Sequence, residues 1–295
     1  MSNSAVVEPS DSPLPSAAVQ QLDELATLVG RGRVLVLSGA GISTDSGIPD
    51  YRGPTGATRT GSPMTYRQFV DDPDARRRYW ARSHAGWSRI ARAEPNPGHR
   101  ALAALEKTGL VTAVVTQNVD ELHQTAGSST VLDLHGVLSR TVCLECGERR
   151  SRLELRHRLD AANPRMASWT ATFTADGDAE LPTGAEDGFV VVDCLDCGGT
   201  LKPDVVFFGE NVPRPRVETA FEWLASASAL LVLGSSLTVM SGYRFVLAAC
   251  RAGTPVAIVN RGPTRGDSRA TVRCDAGLSR TLGGLVDMLV PVGAR

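Results

Sequence analysis

Lysine is nearly missing from this chain. Lys107 and Lys202 are the two present, and every other one of its 31 basic residues is arginine. The skew reads as coding bias and carries no chemistry of its own. Also missing is any surplus of positive charge, because 31 basic residues face 32 acidic ones for a formal net charge of -1. Coating nucleic acid or an anionic membrane needs such a surplus, so neither is the main task here. No apolar run approaches the roughly 20 residues of a bilayer-spanning helix. The opening MSNSAVVEPSDSPLPSAA has no basic residue and no apolar core, which predicts a solvated tail over 1–17 rather than a secretory signal. These absences make the cytoplasm the expected compartment. The 295 residues, 42% of them hydrophobic, suffice for one large α/β domain with an insertion.

What is present alternates. Val19, Leu22, Leu25 and Leu28 fall at helical spacing, and Gly30 and Gly32 close that segment. VLVLSG (34–39) then reads as a buried strand, and similar runs recur at VTAVVT (111–116), ALLVLG (229–234) and PVAIVN (255–260). Helical patterns such as His99 to Lys107 and Tyr243 to Ala252 separate them. Continuous apolar strands alternating with helices predict a doubly wound, Rossmann-like parallel sheet covered on both faces. Its ligand site should lie beyond the carboxyl ends of those strands, each of which ends in a polar residue or glycine. Residues 53–67, glycine-rich and without period, predict a loop able to close over a ligand. The rhythm breaks over 137–201, so the expected division is a sheet domain of 18–136 and 202–295 with a small inserted module.

That module carries CLEC and CLDC, which place Cys143, Cys146, Cys194 and Cys197 as two thiolate pairs with 47 residues between them. Four thiolates make a closed tetrahedral site for one structural zinc ion, with no open position for catalysis. Cys250 and Cys274 read as packing residues. In SGAGISTDSGIPDYRG (38–53), Gly39 and Gly41 would let backbone N–H groups approach a phosphate, although Thr44 stands where the standard dinucleotide fingerprint has its third glycine. TQNVDELH (116–123) offers Gln117, Asn118 and Asp120 to an amide or a sugar hydroxyl, and reads equally as a helix start capped by Asn118. His135, in LDLHG, is a candidate general base, with a structural histidine as the other reading. His84, His99, His123 and His157 have weaker claims.

In their order and spacing, GAGISTDSGIPDYRG, TQNVDELH, LHG, the two cysteine pairs, LKPDVVFFGE (201–210), GSSLTV (234–239) and Val259-Asn260 resemble the sirtuins, NAD-dependent protein deacylases. The resemblance spans about residues 18 to 290. It implies that Gly39, Ala40, Gly41, Ile42, Asp50, Tyr51 and Arg52 line an NAD pocket. Gln117, Asn118 and Val119 would border the ribose, and Asp120 would hold the nicotinamide amide. Gly234, Ser235 and Ser236 would meet the phosphates and adenine ribose, and Asn260, Arg261 and Gly262 the adenosine. His135 would be the base, with Asn118 and Asp120 also catalytic. Val205, Phe207, Phe208, Gly209 and Glu210 would frame the acyl-lysine tunnel and pair with an acyl-lysine protein substrate as an added strand. The family mechanism has the acyl oxygen attack the ribose carbon as nicotinamide leaves. His135 then deprotonates a ribose hydroxyl, and the products are lysine and O-acyl-ADP-ribose.

Tyr51, YWAR (79–82) and LKPDVVFFGENVP resemble the class II branch, whose members include enzymes active on longer or branched acyl groups and on ADP-ribosyl transfer. The Tyr-x-x-Arg of Tyr79 and Arg82 sits in an arginine-rich helix expected to begin near Asp74, and reads as a surface or packing feature. Three other functions compete with deacylation: mono-ADP-ribosyl transfer in the same pocket, a non-catalytic zinc module, and a dehydrogenase. The last lacks an evident acid at a second strand end to hold the adenosine ribose.

Overall fold

The computed structural model describes residues 16–50, 63–166 and 186–294, with 172–173, 179–181 and 184 between. Tyr51, Arg52 and most of the expected 53–67 loop lie outside the described residues, as does the tail to residue 15. Helix α1 (Ser16–Val29) leads into β1 (Val34–Ser38), and α2 (Tyr66–Asp71), α3 (Pro73–Ile90) and α4 (Pro97–Lys107) precede β2 (Val111–Thr116). A short α5 (Leu122–Thr125) and β3 (Val131–Asp133) follow. The smaller lobe is built from β4 (Gly136–Cys143), β5 (Arg149–Ser151), α6 (Arg152–Ala162), β6 (Thr172–Phe173), β7 (Ala179–Glu180) and β8 (Leu201–Val205). The chain then returns through α7 (Arg214–Ser226), β9 (Ala229–Leu233), α8 (Met240–Arg251), β10 (Val256–Val259), β11 (Val272–Cys274) and α9 (Leu278–Leu289).

Six strands form a parallel sheet in the order β11-β10-β9-β1-β2-β3. The strands are buried on both faces because alternate residues serve different helix layers. Val34, Val36, Val114 and Leu231 pack with Leu25 of α1, Leu102 of α4 and Leu282 of α9. Leu35, Leu37, Val115 and Val232 pack on the other face with Leu224 of α7 and Phe245 and Val246 of α8. This is the expected doubly wound sheet. Strand order reverses between β1 and β9, so the crevice that binds ligands in such sheets opens there, over Gly39 and Gly234.

The smaller lobe centres on the antiparallel order β5-β4-β8, with β6 and β7 paired separately. Its core draws in more chain than the cysteine-bearing segment. Phe69 of α2 and Tyr79, Trp80 and Ala81 of α3 pack with Cys143, Leu155, Leu159, Cys194 and Leu201. The division at 137 and 201 thus leaves on the sheet side two helices whose apolar residues are buried against the other lobe. Their aromatic side chains needed a second apolar surface, and periodicity does not say which. No helix among the described residues is long and apolar enough to cross a membrane.

Candidate active site

A cavity of about 890 Å³ opens over the switch point and runs between the two lobes. Its sheet side is bordered by Gly39, Ala40 and Gly41 after β1, by Gln117, Asn118, Val119 and Asp120 after β2, and by Gly234, Ser235 and Ser236 after β9. Asn260, Arg261 and Gly262 after β10 close one end; Asp50, His135, Val205 and Phe207 to Glu210 border the other. Residues from four strand ends and from the lobe junction therefore meet in one space. Ile42 departs from expectation. It is 2% exposed, belongs to the sheet core and does not border the cavity, and its backbone carbonyl accepts from Asn96 Nδ2 at 2.6 Å.

The glycines of the first loop serve a different end from the one expected. The Gly39 amide donates to Leu233 O at 2.9 Å and the Gly41 amide to Gly234 O at 2.8 Å, so neither N–H is left for a phosphate. A Cβ on Gly41 would lie 2.8 Å from the Gly234 Cα, and one on Gly39 2.8 Å from the Ser235 Cβ. Gly234 itself has φ 60. The two loops beyond β1 and β9 interlock backbone to backbone, and side chains there would force them apart.

Beyond β2, Asn118 caps nothing. Helix α5 starts four residues later behind Glu121, which takes φ 59, and the Leu122 amide is met by Asp120 Oδ1 at 3.1 Å. This frees the Asn118 side chain, whose Nδ2 donates to Ser43 Oγ at 2.9 Å, and that hydroxyl donates to Asp120 Oδ2 at 2.6 Å. Burial pushes the Asp120 carboxyl above its ordinary range, while the Ser43 hydroxyl and the Leu122 amide pull it back. Gln117 Nε2 donates to Ser235 Oγ at 2.9 Å and to Ser38 O at 3.2 Å, tying the β2 loop to the β9 loop.

His135 sits at the turn into β4. Its Nδ1 lies 3.0 Å from the Gln117 backbone carbonyl, and a carbonyl only accepts, so Nδ1 carries the proton and Nε2 is the basic nitrogen. Burial holds its pKa below the ordinary value, with Arg216 and Arg244 adding to the effect and the Gln117 bond opposing it. The imidazole is therefore neutral at neutral pH, as a general base must be. The His135 carbonyl accepts from the Val206 amide at 2.8 Å, which fixes the 205–210 segment beside it. That segment is tied further by the Tyr66 amide on Phe208 O at 2.9 Å. Phe207 packs edge-on against Tyr79, with centroids 5.2 Å apart.

In the smaller lobe the four sulfurs lie within 4.8 Å of one another, with Cys143 and Cys197 at 3.5 Å and Cys146 and Cys194 at 3.8 Å. A tetrahedral zinc with Zn–S bonds of about 2.3 Å places its sulfurs about 3.8 Å apart, so the set fits one ion. Each knuckle closes through a glycine in the left-handed region: Gly147 (φ 74) donates to Cys143 O and Gly198 (φ 73) to Cys194 O, both at 3.0 Å. The cluster borders no part of the cavity, and four sulfurs leave no position for a reacting group.

The Sir2 family profile matches residues 39–241. The NAD-dependent protein deacetylase 1 of Streptomyces coelicolor is 56% identical over 268 residues, which is 91% of this chain and 90% of that protein. The chain belongs to the Sir2 family. A second relative, the NAD-dependent protein deacetylase 1 of Mycobacterium avium, is 52% identical over 271 residues, 91% of this chain and 95% of its own length. A solved Sir2 complex with a p53 peptide and NAD+ is 31% identical and superposes with a TM-score of 0.72 over 90% of this chain and 98% of that one. A Sir2 histidine variant with deacetylated p53 peptide and 3'-O-acetyl ADP ribose gives 0.73 at 31% identity, over the same shares.

Several residues of this Sir2 site have no mark in the sequence. Ser43, which joins Asn118 to Asp120, lies within the first glycine-rich motif but looks there like any loop serine. Met64, Leu138, Ser241 and Arg244 also border the cavity, and no local pattern marks them. Tyr79, read from its Tyr-x-x-Arg as a surface or packing residue, does pack, at 5% exposure, but borders the cavity as well.

Proposed function

We propose that this Sir2 protein is an NAD-dependent protein-lysine deacylase that transfers the acyl group to ADP-ribose and releases nicotinamide and O-acyl-ADP-ribose. The observation that carries the reading is His135, held neutral by its Nδ1 bond to the Gln117 carbonyl and bordering the cavity between the strand-end loops and the 205–210 segment. The named activity of the S. coelicolor and M. avium relatives supports it. NAD brings a glycosidic bond whose cleavage leaves an electrophilic ribose carbon. Asp120, with Ser43 and Asn118, offers hydrogen bonds suited to the nicotinamide amide. Ser235, Ser236, Asn260, Arg261 and Gly262 offer polar groups to the remainder. Val205 and Phe207 to Glu210 border the cavity with apolar surface and backbone suited to an extended acyl-lysine peptide. In this reading His135 Nε2 accepts the proton of a ribose hydroxyl.

The likeness of Tyr51, the 79–82 segment and the 201–213 segment to the class II branch supports a class II assignment, and a peptide panel reads out which acyl group is taken. Reduced cysteines at a zinc site suit the cytoplasm, the compartment we assign. The test incubates the protein with NAD and a panel of acetyl, longer acyl and acidic acyl peptides, following nicotinamide, peptide mass and O-acyl-ADP-ribose. Loss of an acyl group with stoichiometric O-acyl-ADP-ribose is expected. ADP-ribosylated protein with the acyl peptides intact would overturn the reading in favour of ADP-ribosyl transfer.

A further inference from the structure

His135 Nε2 does not face the cavity alone. Ser241, the second residue of α8, places its Oγ 2.8 Å from that nitrogen. The approach of α8 is close at its neighbour too: a Cβ on Gly242 would lie 2.5 Å from Gln117 Oε1, so the bare backbone there leaves room for the carboxamide of the residue whose carbonyl holds His135 Nδ1. Gln117 and the first turn of α8 thus grip the two ring nitrogens from opposite sides. Ser241 also borders the cavity.

We propose that Ser241 is a positioning residue for the general base, fixing the His135 ring and receiving the hydrogen bond of the newly protonated Nε2. The inference rests on the deacylase reading for its kinetic consequence, though not for the coupling itself. A hydroxyl both donates and accepts. With His135 neutral, Nδ1 is protonated and Ser241 donates to Nε2. When Nε2 takes a proton, the hydroxyl turns, keeps its own hydrogen and accepts from Nε2–H. That second bond has a charged donor and is the stronger of the two, so Ser241 favours the imidazolium. It works against burial and against Arg216 of α7 and Arg244 of α8, the charged groups that bear on the ring.

The coupling is read directly from the imidazole resonances of the full chain, which has five histidines, with His135 assigned by its loss in His135→Ala. In Ser241→Ala the His135 pKa is expected to fall by about half a unit or more, since the charged bond lost exceeds the neutral one. Ser241→Thr, which keeps the hydroxyl, restores it. An unchanged titration in Ser241→Ala overturns the proposal whatever the protein's activity.

Kinetics then separates positioning from mere structure. In the proposed reaction nicotinamide leaves before the base acts. Ser241→Ala is therefore expected to retain acyl-peptide-dependent exchange of labelled nicotinamide into NAD, while O-acyl-ADP-ribose formation slows about tenfold and regains its rate in Ser241→Thr. Equal loss of both activities would show a structural role only and overturn the proposal. Absence of deacylation in the unaltered protein, with the coupling present, sinks the deacylase reading and leaves the Ser241–His135 pairing standing.

Discussion

Lys202 Nζ lies 3.1 Å from Glu210 Oε2 across the base of the 205–210 segment, with the lysine 3% exposed. The same carboxylate oxygen accepts from the Phe207 amide at 2.8 Å, and Nζ also donates to the carbonyls of Pro203 and Val205. The ammonium sits 4.8 Å from the Phe207 ring centroid. One of the two lysines in the chain is thus a clasp that folds the substrate-side segment back on β8. Burial lowers its pKa and Glu210 restores part of the loss. Glu210→Gln leaves a buried ammonium facing a neutral amide, and is expected to cost about 3 kcal/mol in urea unfolding and to raise KM for the acyl peptide more than KM for NAD. Equal effects on the two KM values would detach the clasp from substrate binding.

His99 and His123 are buried edge to face, with ring centroids 5.0 Å apart beneath the β1 loop. His123 Nε2 pairs with Ser38 Oγ at 2.8 Å, while His99 Nε2 and His123 Nδ1 lack hydrogen-bond partners among the described residues. Burial pushes His99 down to about 4, with Arg100 adding to it and Asp45 opposing. It pushes His123 down to about 3, with His99 adding. Between these values and the unfolded value of about 6.5 the unfolded chain binds more protons, so stability rises with pH. No penalty exists above about 6.5. Below it the pair is expected to remove about 2.7 kcal/mol per pH unit, down to about 4, where His99 begins to titrate in the fold. The check is ΔG of unfolding from pH 7.5 to 5.0, where His123→Asn should halve the pair's share of the slope.

How much of this was legible in sequence depended on how far apart the partners lie. The sheet was, because two-faced burial writes itself into every strand as an unbroken apolar run. So were the thiolates, whose pairs sit three residues apart with a glycine after each. Gly39 and Gly41 were found, but the close approach they serve is to Leu233, Gly234 and Ser235 at the end of β9, almost 200 residues away, and nothing local points there. Ser43 bonds Asp120 across 77 residues and Ser241 meets His135 across 106, and neither serine has a local signature. Asn118 carried two readings because a cap and a site carboxamide draw on the same residue type, and the cap is Glu121 instead. Its role turned on Glu121 taking the left-handed conformation, which delays the helix.

The thiolate cluster should hold one zinc per chain. Cys143 and Cys194 are also core residues of the smaller lobe, packed with Phe69, Trp80 and Leu155, so metal loss and lobe unfolding are one event. Cys143→Ser is expected to bind substoichiometric zinc by elemental analysis and to lose about 3 kcal/mol or more. A protein equally stable after chelation would remove the structural metal.

Gly136 follows His135 with φ 81, and a Cβ there would fall 2.0 Å from the Asp204 carbonyl oxygen. The glycine lets β4 and β8 close directly beside the base, and the Val206 amide reaches the His135 carbonyl across that junction. Gly136→Ala must part the strands as well as adopt a left-handed backbone, which alone costs about 1 to 2 kcal/mol. Gly109, with φ 74 and nothing within 4 Å of where a Cβ would stand, isolates the backbone cost. Gly109→Ala should lose about 1 kcal/mol with kcat/KM unchanged. Gly136→Ala should lose about 3 kcal/mol or more and, assayed at a temperature where it remains folded, at least tenfold in kcat/KM. Equal activity in the two variants would mean that His135 does not depend on the β4–β8 junction for its place.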